Sequence, residues 1–357
     1  MQNKRLYMDI HVLQTLPPSN INRDETGSPK TALYGGVDRA RVSSQAWKRA
    51  MREYFLAHSD ESHLGVRTIK LGEFIAKKMM ELEPTLSLED ALKKVDKGLK
   101  GTAFKLGKNY ELSALTFIGH KQATELARLL LEDKVSKEQV IEVVQSNQAL
   151  DIALFGRMMA GETNLNEEAS SQVAHAISTH GVQTEYDYFT ALDDLKTDSS
   201  GSAMIGTVEF NSSTLYRYAN LSLHDLKRQL TQDFDLLGAV ELYIDSFINS
   251  LPTGKQNTFA NQTMPSYVLI TLREDRPISL VGAFEEAVES QAGYTKESII
   301  KLKQEFKDLH KFINPSLVAV EVSKYGVGSE DIETKDSMVE LKASIKGAIE
   351  QTVEGWG

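Results

Sequence analysis

The 357-residue chain contains no cysteine, which excludes disulfide frameworks, thiolate metal sites and cysteine nucleophiles. A reducing cytoplasm fits that usage, and a cytoplasmic location is the expectation. No apolar run approaches the roughly 20 residues that cross a bilayer, so no membrane partner is expected. Met1–Ile10 is too short and too mixed in charge to read as a signal peptide. The eight histidines include no pair at metalloprotease spacing, there is no Gly-x-Ser-x-Gly elbow, and no dinucleotide fingerprint occurs. Asp193 and Asp194 are adjacent and diverge on an extended chain. No catalytic set, metal or cofactor is therefore expected. Positive charge is also in deficit. Forty basic against fifty acidic residues give a net charge of −10, which taken alone argues against nucleic acid.

Distribution changes that argument. Between Arg39 and Arg52 stand Arg39, Arg41, Lys48, Arg49 and Arg52, with no acid after Asp38. An acidic protein with one concentrated basic face remains a candidate RNA binder. Length allows one large domain with insertions, or two domains with separate cores.

Along the chain, Arg5–Leu13 alternates as a strand, and a loop with Pro17-Pro18, Gly27, Pro29 and Gly35-Gly36 follows. A helix starts at Ser43 or Ser44. From about Ser62 to Gln148 the pattern is helical, with capping-box spacing at Ser87–Asp90 and Ser136–Gln139. Strands are expected at Asp151–Phe155 and Gln172–Thr179. The segment Thr184–Asn211, longer than a normal connection, reads as a protruding hairpin with a tip at Asp198–Ser202. Then come a strand at Thr214–Ala219, a helix at Phe234–Ser250 and a strand at Tyr267–Leu272. Helices at Leu280–Ser290 and Thr295–Phe312 and a strand in Asn314–Val322 close the pattern; the tail after Gly326 gives no clear signal. The sum is α+β, a strand-helix-strand-strand-helix-strand core with a helical insert and a loop insert.

Three elements carry chemistry. On the helix from Ser43, Trp47, Ala50, Met51, Tyr54 and Phe55 share one face, and Gln45, Lys48, Arg49 and Arg52 the opposite one. With Arg39 and Arg41 upstream, these form a cationic track suited to phosphates; a solvated helix face is the other reading. Tyr188, Phe189 and Ile205 form an apolar wedge on the hairpin, or else pack into the core. In Leu251-Pro252-Thr253-Gly254-Lys255-Gln256, the first glycine of a nucleotide loop is missing, and Gln256 replaces its Ser or Thr. That loop is not an ATP site, and Lys255 either touches a phosphate backbone or belongs to a helix-ending turn. His175 and His180 fall on opposite faces of a strand-like stretch, and both are expected to be structural.

Ordered blocks of sequence carry a resemblance. Asn22-Arg23-Asp24, Gly35-Gly36, Arg41-Val42-Ser43-Ser44-Gln45 and Lys48-Arg49-Ala50-Met51-Arg52 are followed by Asp151 through Met158, Ala174-His175-Ala176-Ile177 and Phe189-Thr190-Ala191. Tyr216 through Asn220 and Pro252 through Gln256 complete the set. The chain resembles the CasC backbone subunit of the type I-E CRISPR Cascade complex, from its N-terminus to about residue 290. The helical insert and the last sixty or so residues match weakly.

The resemblance implies a hand-like, non-catalytic subunit. Its palm is related to the RNA-recognition (ferredoxin-like) fold and is built from 1–58, 150–183 and 213–357, with helical fingers at 59–149 and a thumb loop at 184–212. It implies a guide RNA (crRNA) lying across palms that stack head to tail, each thumb displacing one nucleotide. Further partners implied are target DNA, through its heteroduplex with the guide, and the large, small, five-prime-end cap and repeat-processing subunits. By the same resemblance, Arg23, Lys30, Arg41, Gln45, Lys48, Arg49 and Arg52 hold RNA on the palm, and Met158 wedges against the guide from the end of its strand. Tyr188, Phe189, Thr190 and Ile205 flank the displaced nucleotide; Tyr188 stands where Trp is usual, and Ile205 where Leu is usual. Two rival readings are a target-RNA nuclease using Asp24 or Asp38, each beside arginines that can pair with it, and a free-standing single-stranded-RNA-binding protein.

Overall fold

The computed structural model describes residues 5–132, 135–159, 163–191, 204–230 and 235–353. The first strand, β1 (Tyr7–Ser19), runs beyond the expected Leu13 through Pro17 and Pro18. Both prolines are exposed and lie past Leu13, the last residue paired with the strand Tyr267–Arg273, where a missing N–H costs that ladder nothing. The following stretch, read as loop, contains a hairpin of β2 (Thr31–Tyr34) and β3 (Val37–Val42). Gly35 and Gly36 turn it with φ of +60° and +80°, the pair of left-handed residues that two-residue hairpins favour.

Helix α1 (Ser44–His58) starts where expected, with Ser43 Oγ accepting the Ala46 N–H at 3.3 Å. Next come β4 (Gly65–Thr68), α2 (Leu71–Leu82), α3 (Leu88–Leu99), β5 (Thr116–Gly119), α4 (His120–Leu131) and α5 (Lys137–Gln145). Ser87 caps α3, and Ser136 and Gln139 form the capping box of α5. The β4–β5 pair interrupts what the sequence reads as helix throughout.

The run Asp151–Phe155, expected as a strand, is instead a helix, α6 (Leu150–Phe155), buried at every residue and ended by Gly156 at φ +78°. A short run that is apolar on all sides fits a buried strand or a buried helix equally well. Strands β6 (Ser171–Val173) and β7 (Ala176–Ser178) replace one continuous strand. A long hairpin of β8 (Glu185–Ala191) and β9 (Met204–Ser222) follows; the expected tip, Asp198–Ser202, lies outside the described residues. The chain continues with α7 (Leu223–Gln229), α8 (Leu236–Asn249), α9 (Gln256–Phe259) and β10 (Tyr267–Arg273), then α10 (Thr295–Leu309), β11 (Val318–Ser323), β12 (Glu333–Thr334) and α11 (Met338–Val353).

The helix expected at Leu280–Ser290 is only a 3-10 turn at Val281–Phe284. Backbone groups that a helix would pair internally are taken from outside. Arg39 Nη2 donates to the carbonyls of Phe284 and Glu285, and Val288 N–H donates to Thr179 O.

The chain divides into two compact units. The first comprises Met1–Met51, Val173–Asn220 and Tyr243–Gly357. Its sheet runs β12-β11-β10-β1-β9-β7-β3-β2, with β8 also pairing with β9. Alternation on β9 separates the faces. Tyr216 and Tyr218 join Tyr267, Leu269, Phe284, Ile299, Leu302 and Phe306 in one core. Arg217 turns the other way, its guanidinium 3.9 Å from the Trp47 ring centroid and 4.6 Å from that of Phe247. The second unit comprises Arg52–Gln172 and Leu221–Leu242, with Ile75, Met79, Val95, Leu126, Leu130 and Val140 at its centre. No helix among the described residues is long and apolar enough to cross a membrane.

Candidate nucleic-acid interface

The loop after β1 is folded on itself by Asp24, whose Oδ1 accepts from Thr26 N (2.9 Å), Thr26 Oγ1 (2.7 Å) and Ser28 N (3.0 Å). These bonds, the Thr26 hydroxyl foremost, hold its carboxyl below the ordinary range. Asp24 is thus bonded within its own loop, not to the neighbouring arginine that the sequence offers it. Backbone bonds then draw the basic residues together. Lys30 N donates to Asn22 O at 2.9 Å, Arg41 N to Lys30 O at 2.8 Å, and Ser43 N to Asn22 Oδ1 at 2.8 Å. Arg23, Lys30, Arg41 and the start of α1 therefore form one knitted patch of the first unit. Arg23, Gln45 and Arg49 are exposed there; Lys30, Arg41 and Lys48 are half-buried.

Helix α1 divides as its periodicity requires. Trp47, Ala50, Met51 and Phe55 are buried, each large apolar side chain contributing about 1.5–3 kcal/mol. Two members of the expected track lie elsewhere. Arg39 is 0% exposed and donates to the carbonyls of Tyr34, Ser178, Phe284 and Glu285 at 2.9–3.3 Å. Its guanidinium binds four main-chain oxygens of the core and is not presented to a ligand. Arg52 donates through Nε to Asp151 Oδ2 at 2.8 Å and through Nη2 to Gly65 O at 2.9 Å. Burial raises the Asp151 carboxyl, and Arg52 opposes that shift.

The track also has a member that the sequence reading expected to be structural. His175 is exposed, with its Nδ1 3.2 Å from Arg41 Nη1. Partial burial, Arg41 and Lys30 all push its pKa down, so it is uncharged at neutral pH. Its place in the block Ala174–Ile177 was the available signal. His180, by contrast, is structural: its ring stacks on Tyr294 at 3.6 Å and its Nε2 accepts the Thr214 N–H at 3.1 Å. Lys255 is half-buried with φ +51°, and Gly254 before it sits so close to Ile21 O that a Cβ would approach to 2.4 Å. The loop is docked against the backbone of Asn20 and Ile21, not merely a turn ending α8.

On the hairpin, every residue of β8 is exposed. The register pairs Tyr188 with Thr207, Phe189 with Gly206 and Thr190 with Ile205. Side chains alternate, so Tyr188, Thr190 and Ile205 share one face and Phe189 lies on the other, its ring over Gly206. The expected single wedge of Tyr188, Phe189 and Ile205 is two-faced. Tyr188 and Ile205 are 63% and 61% exposed, so neither packs into a core. Met158, in the second unit, is 85% exposed and follows α6 and Gly156, not a strand. Among the described residues no group of three or more His, Asp or Glu is gathered as a metal site requires.

The sequence profile of the CT1975-like protein family matches residues 8–351. Among solved structures, one chain of a "CRISPR RNA-guided surveillance complex, pre-nicking" is 32% identical, with a TM-score of 0.86, over 96% of this chain and 99% of its own. A chain of a "CRISPR RNA-guided surveillance complex" is 28% identical with a TM-score of 0.63, over the same shares. No curated protein matches.

Proposed function

The chain belongs to the CT1975-like protein family, and from that premise we propose that it is a guide-RNA-binding backbone subunit of a CRISPR RNA-guided surveillance complex. The observation that carries this reading is its likeness, over nearly the whole of both chains, to a component of such a complex. The chemistry of the first unit supports it. Arg23, Lys30, Arg41, Gln45, Lys48 and Arg49 are suited to phosphates and sugars, which carry no sequence information. A subunit that holds any guide must grip those and leave the bases free to pair with target DNA.

In this reading the first unit is a palm of RNA-recognition type, the second supplies the fingers and the β8–β9 hairpin is the thumb. Copies stack head to tail, a heterologous contact that propagates into a helical filament. The complex is of type I-E and cytoplasmic, and the chain has no catalytic role in it. The Asp24 carboxylate is already committed to Thr26 and Ser28, which leaves it poorly placed to hold a catalytic metal ion.

The test is to purify the chain from cells that transcribe a CRISPR array and to sequence the bound RNA. Small RNAs of repeat-spacer composition are expected, in particles whose size grows with guide length. Absence of such RNA, or a particle of fixed size, overturns the reading. Complementary RNA with magnesium should remain intact; cleavage lost in Asp24→Ala or Asp38→Ala would make the protein a nuclease.

A further inference from the structure

The second unit contains a cation that its own structure compensates only in part. Strands β4 and β5 pair so that Arg67 lies directly opposite Phe117, and cross-strand neighbours share a face. The Arg67 guanidinium rests 4.6 Å from the Phe117 ring centroid, and Arg52 lies at the same distance from the same ring. Phe117 is buried and thus a fixed platform, while Arg67 is exposed. One carboxylate serves both guanidiniums. Asp151 gives Oδ2 to Arg52 Nε at 2.8 Å and Oδ1 to the Gly65 N–H at 2.8 Å. Among the described residues, Arg67 has no hydrogen-bond acceptor and no carboxylate in ion-pair contact; Asp151 acts on it only through its charge at longer range.

We propose that Arg67 is a phosphate-binding residue of the second unit, taking a phosphodiester of a nucleic-acid strand outside the Arg23–Arg49 track. The proposal rests on the nucleic-acid reading above and adds to it a second point of contact. The Phe117 ring and the ladder register hold the guanidinium over one face of the strand pair, and its fork of donors suits two oxygens of one anion. Desolvation and the charge of Arg52 both press on the Arg67 cation, and Asp151 relieves it less than Arg52 burdens it. An arriving phosphate supplies the missing negative charge. Arg52, expected on the RNA track, has a different part here: its bond to Asp151 occupies that carboxylate and so keeps Arg67 available. The strand is either the guide RNA or the target DNA, which present the same phosphodiester.

The test compares wild type with Arg67→Gln in two arms: binding of guide RNA by the chain, and binding of single-stranded target DNA by the guide-loaded assembly. The log-log salt slope should fall by about 0.7 in the arm whose strand Arg67 holds, with the melting temperature of the free chain unchanged. Equal slopes in both arms, with salt-dependent binding by wild type, overturn the proposal and leave the function above intact. Failure of wild type to bind RNA at all overturns that function itself. Should Arg67→Gln not fold, phenylglyoxal modification of wild type, read at Arg67 by mass spectrometry, decides the matter. Protection on loading with RNA or DNA is expected, and equal reaction with and without both strands overturns the proposal.

Discussion

Strands β8 and β10 are each seven residues long and both are paired within the same sheet, yet β8 is exposed throughout and β10 is buried throughout. Glu185-Tyr186-Asp187-Tyr188-Phe189-Thr190-Ala191 mixes acids with aromatics, whereas Tyr267-Val268-Leu269-Ile270-Thr271-Leu272-Arg273 is nearly continuous in apolar side chains. A strand covered on both faces loses water from every residue and must be apolar at successive positions. A strand that pairs on one edge and packs on neither face keeps its aromatics in solvent, where they cost solubility unless a partner covers them. The contrast teaches that apolar residues in this chain serve two ends, a core and a surface offered to something else.

The contrast recurs on α1, where it predicts the largest effect. Arg52→Ala leaves the Asp151 carboxylate buried without its cation and should cost about 3–5 kcal/mol in urea unfolding of the free chain. A loss under 1 kcal/mol would make the pair dispensable. On β10, Ile270→Ala, at a fully buried position opposite Ile10, should cost about 2–5 kcal/mol. Ile205→Ala on the hairpin should stay within about 0.5 kcal/mol. Equal costs would erase the distinction between the two strands.

A titration sharpens the buried side. Burial lifts Asp9, on β1, from 3.8 to about 7, although Tyr218 OH and Ile278 N–H both donate to it. Between those pH values the folded chain holds a proton that the unfolded chain has lost. This contribution to stability is therefore full below about pH 4 and is lost as pH rises through 7. The difference between Asp9→Asn and wild type should move in favour of the variant by about 2–3 kcal/mol from pH 5 to pH 8. A pH-independent difference would show that Asp9 keeps an ordinary carboxyl.

The hairpin faces give a smaller effect. Tyr188→Ala with Ile205→Ala removes one face, and should weaken RNA-dependent assembly by about 1–3 kcal/mol, the worth of one stacked base. Phe189→Ala acts on the opposite face and should add to the double variant independently. Strong coupling of all three would restore a single wedge. Smallest is Arg49→Ala on the exposed side of α1, expected to lower the salt slope of RNA binding by about 0.7 without loss of stability. A slope equal to wild type would return Arg49 to a merely solvated face.

Local signals were legible where short-range chemistry decides. Ser43, Ser87 and Ser136 cap helices because a hydroxyl beside free N–H groups needs no distant partner. The α1 periodicity separated Trp47, Met51 and Phe55 from Gln45 and Arg49 for the same reason, and the hairpin was visible as polar chain interleaved with aromatics. What needed the tertiary structure was partner choice across long separations. Nothing near Arg39 in sequence shows that its donors reach carbonyls at Ser178 and Phe284. Nothing near Leu280–Ser290 shows that those same bonds replace a helix. The run Asp151–Phe155 is apolar enough for either backbone, and only the tertiary structure shows it to be a helix. Register placed Phe189 opposite Gly206 and away from Tyr188 and Ile205, and it set Arg67 on Phe117. The sequence by itself thus determined where basic, apolar and capping residues concentrate, because those follow from composition and local period. Only the tertiary structure decided which cations are spent inside the fold, because desolvation and pairing depend on partners such as Asp151, Ser178 and Phe284, 99 to 245 positions away.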